Sequence, residues 1–212
     1  MRCLKVAHAL HHDPPTSYPV LANEYGYRTC YETMSLSSDP SVPSMVKESF
    51  RAKHFLNMRF RFPPTPAYTW LLELAHSFGV DQTFVWTSNV DGCFERAGFD
   101  KNRVYTTQGE MNKYQCQNCN NVWPCEAQLR AIEEHSPDGT LTDPKLALKC
   151  PLCGVGEEAL RPSLRGGNWL DHSPYEEVQD RLLAWLDDSV ANGKTVAVLE
   201  VGVGPNTPVV TR

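Results

Sequence analysis

Apolar residues recur at helical spacing in two clear stretches. After Thr65 and Pro66, which suit a helix cap and first turn, Tyr68, Leu71, Leu72, Ala75 and Phe78 share a face until Gly79 stops the pattern. Farther on, Ser173 and Pro174 open a second helix and Glu176 completes a capping box. Tyr175, Val178, Leu182, Trp185 and Leu186 line its apolar face before Asn192 and Gly193 end it. Phe84-Val85-Trp86-Thr87 and Val104-Tyr105-Thr106-Thr107 are short, β-branched and aromatic, and a helical pattern around Ala97 separates them. Thr195-Val196-Ala197-Val198-Leu199 is apolar on both faces, as expected of a strand buried in a parallel sheet between helix layers. Strand and helix alternate, so the body reads as α/β.

Two regions depart from that alternation. The first 65 residues are rich in Pro, Ser and Tyr and read as long loops with one helix from about Pro43 to Met58. Residues 111–160 hold two Cys-x-x-Cys pairs, a helix over Glu126 to His135 and a Pro/Asp/Gly/Thr loop from Ser136 to Pro144. The expected division is a body of residues 1–110 and 161–212 interrupted by a small module at 111–160. There is no internal repeat, since the two Cys pairs share little beyond their spacing.

Composition narrows the function. The chain has 212 residues, 41% hydrophobic and 21% charged, ordinary for a globular protein with one good core. Twenty Lys and Arg against 25 Asp and Glu leave a formal charge of −5, which disfavours nucleic acid or anionic lipid as the target. No stretch approaches the roughly 18 apolar residues of a membrane span, and Lys5 and His8 interrupt the first apolar run, which argues against a secretory signal. A cytoplasmic location is expected, with a mitochondrial leader as the alternative because no acidic residue precedes Asp13. His11 and His12 read as solvated.

The eight cysteines are too sparse for a secreted disulfide scaffold. Cys116-x-x-Cys119 and Cys150-x-x-Cys153 instead resemble two zinc knuckles, each aiming two thiolates at one ion. The 30 residues between the pairs exceed the usual ribbon spacing, but loop closure costs grow only logarithmically with length. Four thiolates fill a tetrahedral sphere and leave no place for a reactive water, so the expected Zn²⁺ is structural. Cys125 could compete as a ligand; Cys3, Cys30 and Cys93 read as small buried hydrophobes.

Two further segments carry candidate chemistry. Thr87-Ser88-Asn89-Val90-Asp91-Gly92 leaves the C-terminal end of a strand, where open parallel sheets bind ligands. An amide and a carboxylate two residues apart there can bond a ribose and a carboxamide, although an Asp-Gly turn accounts for the same residues. Gly202-Val203-Gly204-Pro205-Asn206-Thr207 also follows an expected strand, and its glycines would let backbone N–H groups approach a nucleotide; it is not the dinucleotide fingerprint.

In their order these features resemble the sirtuin family. The residues concerned are Thr87-x-Asn89-x-Asp91-Gly92, Thr107-Gln108-Gly109 running into the first Cys pair, the second pair followed by Leu160-Arg161-Pro162, and Glu200-Val201-Gly202-Val203-Gly204. The resemblance spans roughly Pro66 to Pro208 and implies a Rossmann-like parallel sheet, the sirtuin (DHS-like) NAD-binding fold, carrying the zinc module as an insertion. It implies NAD held by Thr87, Ser88, Asn89, Asp91, Gln108, Gly202, Val203, Gly204, Asn206 and Thr207. Of these, Asn89, Asp91 and Gln108 would be catalytic.

Sirtuin deacylases typically carry a His-Gly pair where this chain has Gln108-Gly109, and the amide is similar to the macrodomain-linked class M sirtuins, which resemble protein ADP-ribosyltransferases. In deacylation a His takes a proton from a ribose hydroxyl, and a carboxamide cannot, which typically removes roughly 10²–10⁴ in rate. Direct capture of ADP-ribose by a protein side chain needs no such base. The resemblance therefore implies nicotinamide release, with Asn89 and Gln108 on the ribose and Asp91 on the carboxamide, and transfer to a protein. The implied acceptor is a lipoyl-carrier-type protein, with a macrodomain hydrolase as partner. Ser163-Leu164-Arg165-Gly166-Gly167 stands where deacylases place a Val-rich acyl-peptide floor.

The family's first strand and Gly-Ala-Gly-x-Ser phosphate loop do not occur in the sequence, which suggests a chain truncated at both ends. Tyr18, Tyr25, Tyr27, His54, Asn57 and Arg59 stand as fragments of the family's variable cofactor region. The alternatives are an NAD-dependent deacylase and a silent zinc-bearing interaction module.

Overall fold

The structure, a computed structural model, describes residues 18–29, 32–164 and 170–202. Its elements in chain order are α1 (Pro19–Tyr25), α2 (Ser44–Leu56), α3 (Pro66–Phe78), β1 (Val85–Thr87), α4 (Cys93–Ala97), β2 (Val104–Thr106), β3 (Gly109–Cys116), β4 (Val122–Pro124), α5 (Glu126–Glu134), β5 (Leu160–Leu164) and α6 (Ser173–Ala191). They group into two compact units. Among the described residues, one takes those up to Phe62 with Asn112–Pro162, the other Pro63–Met111 with those from Ser163 to Gly202. The segment before Phe62 thus clusters with the cysteine module, where the sequence placed it with the body.

In the first unit the Pro- and Tyr-rich stretch builds a core of its own. Tyr18, Leu21, Tyr27, Leu36, Val42, Val46 and Phe50 are buried together, and the tyrosine hydroxyls find partners: Tyr18 with His54 Nδ1 at 3.1 Å and Tyr27 with Asp39 at 2.8 Å. Tyr18, Tyr27 and His54 are therefore structural groups here, and Tyr25 packs at the edge of the same core. Helix α2 runs into a π turn at Asn57–Arg61, and Arg61 forks onto Glu133 of α5 while also donating to Asn57. Strand β3 pairs antiparallel with β4, Tyr114 facing Trp123, and β3 lies between β4 and β5 in one sheet.

In the second unit β1 and β2 are parallel, with Val85 opposite Val104, Trp86 opposite Tyr105 and Thr87 opposite Thr106. Helix α6 lays Tyr175 and Leu182 on Tyr105, with Phe84, Val178, Trp185 and Leu186 at the margin, so its predicted apolar face is the one it buries. The capping box does not form: Asp171, not Ser173, accepts the N–H at the start of α6, at 2.9 Å. Thr65 likewise occupies the cap position of α3 without a side-chain bond. On α3 only Ala75 is buried, and Phe78, expected inside, is 67% exposed, in line with Trp70 and Leu74.

The strand expected over Thr195–Leu199 is absent: the segment is irregular and exposed, Val198 by 80%. Apolar alternation makes a strand only when a neighbour completes the hydrogen-bond ladder. Among the described residues the parallel ladder of this unit consists of β1 and β2 alone.

Candidate functional site

The loop leaving β1 is tied down residue by residue. Thr87, buried, accepts the Asn89 backbone N–H on Oγ1 at 3.0 Å. Asp91 accepts the Cys93 N–H on Oδ1 at 2.9 Å and so starts α4, after Gly92 has turned the chain at φ +65. The Asp-Gly turn expected from the sequence therefore forms, and it leaves the second Asp91 oxygen without a role in the turn.

The turn from β2 to β3 closes onto this loop. Thr107 N–H donates to Thr87 O and Met111 N–H to Val90 O, each at 3.0 Å. Gln108, half-buried, lies between these two bonds, which fixes it beside the segment carrying Asn89 and Asp91. Gly109 makes the approach possible: its φ is +76, and a Cβ there would stand 2.0 Å from the Ser163 carbonyl oxygen. Thr87, Ser88, Asn89, Asp91 and Gln108 are thus brought together. At Gly202, φ +74, an added Cβ would meet nothing within 4 Å, and Val203, Gly204, Asn206 and Thr207 fall outside the described residues.

A residue read from the sequence only as helix face belongs to this cluster. Tyr68, in the first turn of α3, accepts a hydrogen bond from Asn89 Nδ2 at 3.1 Å, and its ring meets Phe94 edge-on at 4.9 Å. Burial first, then the Asp91 carboxylate, pushes its phenol well above the usual range. Cys93 is buried as expected, its thiol pushed up to about 11 by burial and then by Asp91, with Arg96 donating to the sulfur at 3.1 Å. Helical spacing could mark Tyr68 as inward-facing but not its hydroxyl as facing Asn89.

In the first unit the four predicted metal ligands converge. The Sγ atoms of Cys116, Cys119, Cys150 and Cys153 all lie within 4.8 Å of one another, with Cys116 to Cys153 and Cys119 to Cys150 both at 3.6 Å. Tetrahedral Zn–S bonds of ~2.3 Å place sulfurs ~3.8 Å apart, so the set fits one zinc ion. Cys125, fully buried, stands outside the set, its thiol pushed up to about 12 by burial.

The knuckles share a backbone pattern that the sequence hides. Asn120 N–H returns to Cys116 O and Gly154 N–H to Cys150 O, each at 2.9 Å, while Cys116 and Cys150 donate to Asn121 O and Val155 O. The residue after the second cysteine is left-handed in both, Asn120 at φ 58 and Gly154 at φ 74. Asn and Gly are the residues that take this conformation at least cost, so unlike sequences give like turns.

Glu48 was not anticipated at all. It is 4% exposed in α2; Oε2 accepts the Leu148 N–H at 2.8 Å, and Oε1 is buried without a partner. Burial pushes its carboxyl up to about 7. Arg51, beside it, pairs with Glu157 at 3.0 Å.

Residues 28–172 match the Sir2 family, more than half of the chain. A protein of Fusarium oxysporum f. sp. cubense named "Probable bifunctional ADP-ribose hydrolase/ADP-ribosyltransferase" is 32% identical over 197 residues, covering 89% of this chain and 31% of its own length. A Sir2 homologue solved with NAD is similar at 22% identity and TM-score 0.45, over 76% of this chain and 53% of its own. A mutant Sir2 homologue solved with ADP-ribose aligns at 23% identity and TM-score 0.45, over 72% and 50%. The chain thus spans under a third of the curated relative and about half of these solved chains. With its β1 loop, glycine-locked β2–β3 turn and paired cysteine knuckles, the chain belongs to the Sir2 family.

Proposed function

We propose that this chain carries the nicotinamide-ribose half of an NAD-dependent protein ADP-ribosyltransferase site. The observation that supports the reading is the pair of backbone bonds from Thr107 and Met111 to Thr87 and Val90, which ties the turn carrying Gln108 to the loop carrying Asn89 and Asp91. Asn89 and Gln108 bind the ribose hydroxyls, and Asp91 offers its carboxylate to the nicotinamide carboxamide N–H groups. Neither carboxamide is a base for a ribose hydroxyl, so the activation an imidazole would give is not built in at Gln108, whereas a nucleophile from a protein acceptor needs only a positioned sugar. NAD supplies the ADP-ribosyl group as substrate. The name of the fungal relative, which joins a hydrolase with a transferase, supports the pairing with an ADP-ribose hydrolase of the macrodomain kind. A lipoyl-carrier-type protein is the acceptor to try first.

The cysteine set would hold zinc and supply a cross-link between the two knuckles; it takes no part in transfer.

The test is to incubate the chain with labelled NAD and lipoylated carrier protein, and separately with an acylated peptide. Label on the carrier with nicotinamide release is expected. Nicotinamide release only with the acylated peptide identifies a deacylase instead. Gln108→His should move the ratio of ADP-ribosylation to deacylation toward deacylation, and an unchanged ratio counts against the assignment of Gln108.

A further inference from the structure

We propose that Tyr68 is a positioning residue that decides which end of the Asn89 carboxamide meets the ligand, so that this position of the site selects a sugar hydroxyl. The inference rests on the ribose-binding reading of Asn89 given above. Asn89 Nδ2 donates to the Tyr68 hydroxyl oxygen at 3.1 Å. A carboxamide is planar, so committing its nitrogen to Tyr68 turns Oδ1 away from α3. Asn89 is exposed, and the oxygen it turns outward is an acceptor. The ligand atom that suits an acceptor is a donor, which a ribose hydroxyl is and a phosphate or carbonyl oxygen is not.

What makes Tyr68 choose the nitrogen is its own surroundings. A phenol has one proton, and the Cys93 sulfur lies within hydrogen-bonding reach of this hydroxyl, with the Asp91 charge near enough to act on it. With its proton directed to that side, the oxygen is left to accept, and only the nitrogen end of Asn89 can donate. The phenol keeps that proton because burial and the Asp91 charge oppose ionisation. Rotation of the ring is opposed by Phe94 at 4.9 Å, itself edge-on to Phe99 at 5.2 Å. The backbone of Asn89 is meanwhile pinned to Thr87 Oγ1 at 3.0 Å. Asn89 and Asp91 are therefore linked through Tyr68 and Cys93, and do not act as independent groups.

Tyr68→Phe removes only the hydroxyl. Two measurements on the full chain test the inference: the side-chain amide resonances of Asn89 without ligand, and calorimetric Kd values for NAD and for an NAD analogue lacking the nicotinamide-ribose hydroxyls. Expected are shifted Asn89 amide signals, Kd for NAD weaker by about 2- to 10-fold as befits one lost hydrogen bond, an unchanged Kd for the analogue, and an unchanged thermal midpoint. Equal weakening for both ligands, or none for either, overturns the selective role. Asn89 signals that do not move overturn the inference whether or not NAD binds. A wild-type chain that fails to bind NAD while Tyr68→Phe still moves those signals removes the ribose reading and the ligand half of the inference, and leaves the Tyr68–Asn89 tie standing.

Discussion

Gly109 shows how one backbone requirement fixes a candidate site. Any side chain there would meet the Ser163 carbonyl at 2.0 Å and would sit at φ +76. Gly109→Ala is therefore expected to destabilise the fold by about 2 kcal/mol or more, from the positive φ and the displaced β5 backbone together, read as a lower denaturant midpoint. A midpoint equal to wild type would mean that the turn carrying Gln108 is not held as described. Glu48 makes the complementary case, a buried carboxylate whose cost depends on pH. Its folded value of about 7 lies above its ordinary 4.5, so its contribution to stability is fully present below pH 4.5 and is lost as pH rises through 7. Arg51, Glu157 and Tyr114 face the same small cavity. Arg51 is already committed to Glu157, which limits its help to an ionised Glu48. Glu48→Gln keeps an acceptor for Leu148 and removes the ionisation, so its unfolding midpoint should vary less between pH 4.5 and 7 than that of wild type. Parallel pH curves for the two proteins would refute this account.

At the scale of elements, the first unit shows what an ion held by four thiolates would add to a short module with two knuckles. Strand β4 has three residues and each knuckle is closed by two backbone bonds of its own, so an ion held by the four thiolates would be the strongest link between Cys116–Cys119 and Cys150–Cys153. Chelating the metal from zinc-loaded protein should raise amide exchange through both knuckles toward unfolded rates, while Val85–Thr87 and Val104–Thr106 keep their protection. Knuckles that stay protected after chelation would assign their stability to the α2–α5 packing instead. The elements of the second unit draw on a different source, the cover that α6 gives Tyr105 through Tyr175 and Leu182, where each buried side chain contributes roughly 1.5–3 kcal/mol.

Across the whole molecule the apolar surface is unevenly distributed. Trp70, Phe78, Trp86, Val190, Val198 and Leu199 are each between 47% and 80% exposed and all belong to the second unit, while in the first unit Leu152 is the one large exposed hydrophobic among the described residues. Exposed apolar surface binds dyes and promotes association where it is contiguous. The isolated chain should enhance anilinonaphthalene sulfonate fluorescence and show concentration-dependent association in sedimentation, and the double change Trp70→Lys with Val198→Lys should reduce both. Equal dye binding by the double variant would place the sticky surface elsewhere. The net charge of −5 offers only modest opposition to such association.

Local spacing was enough to place α3, β1, β2, α5 and α6 within a residue or two and to pick the four cysteines that converge, because helical period, strand composition and ligand spacing act over a few residues. It also placed Asn89 and Asp91 on a turn, since Gly92 marks that turn in the sequence itself. Whether an apolar segment becomes a strand was beyond its reach: Thr195–Leu199 reads as a better strand than Val104–Thr106, yet only the latter has a partner among the described residues. The meeting of Tyr68 with Asn89, the closing of the Gln108 turn onto Val90 and the burial of Glu48 against Leu148 likewise join residues 20 to 100 positions apart. Such pairs exist only once the chain has folded back on itself, and no periodicity along the sequence encodes them.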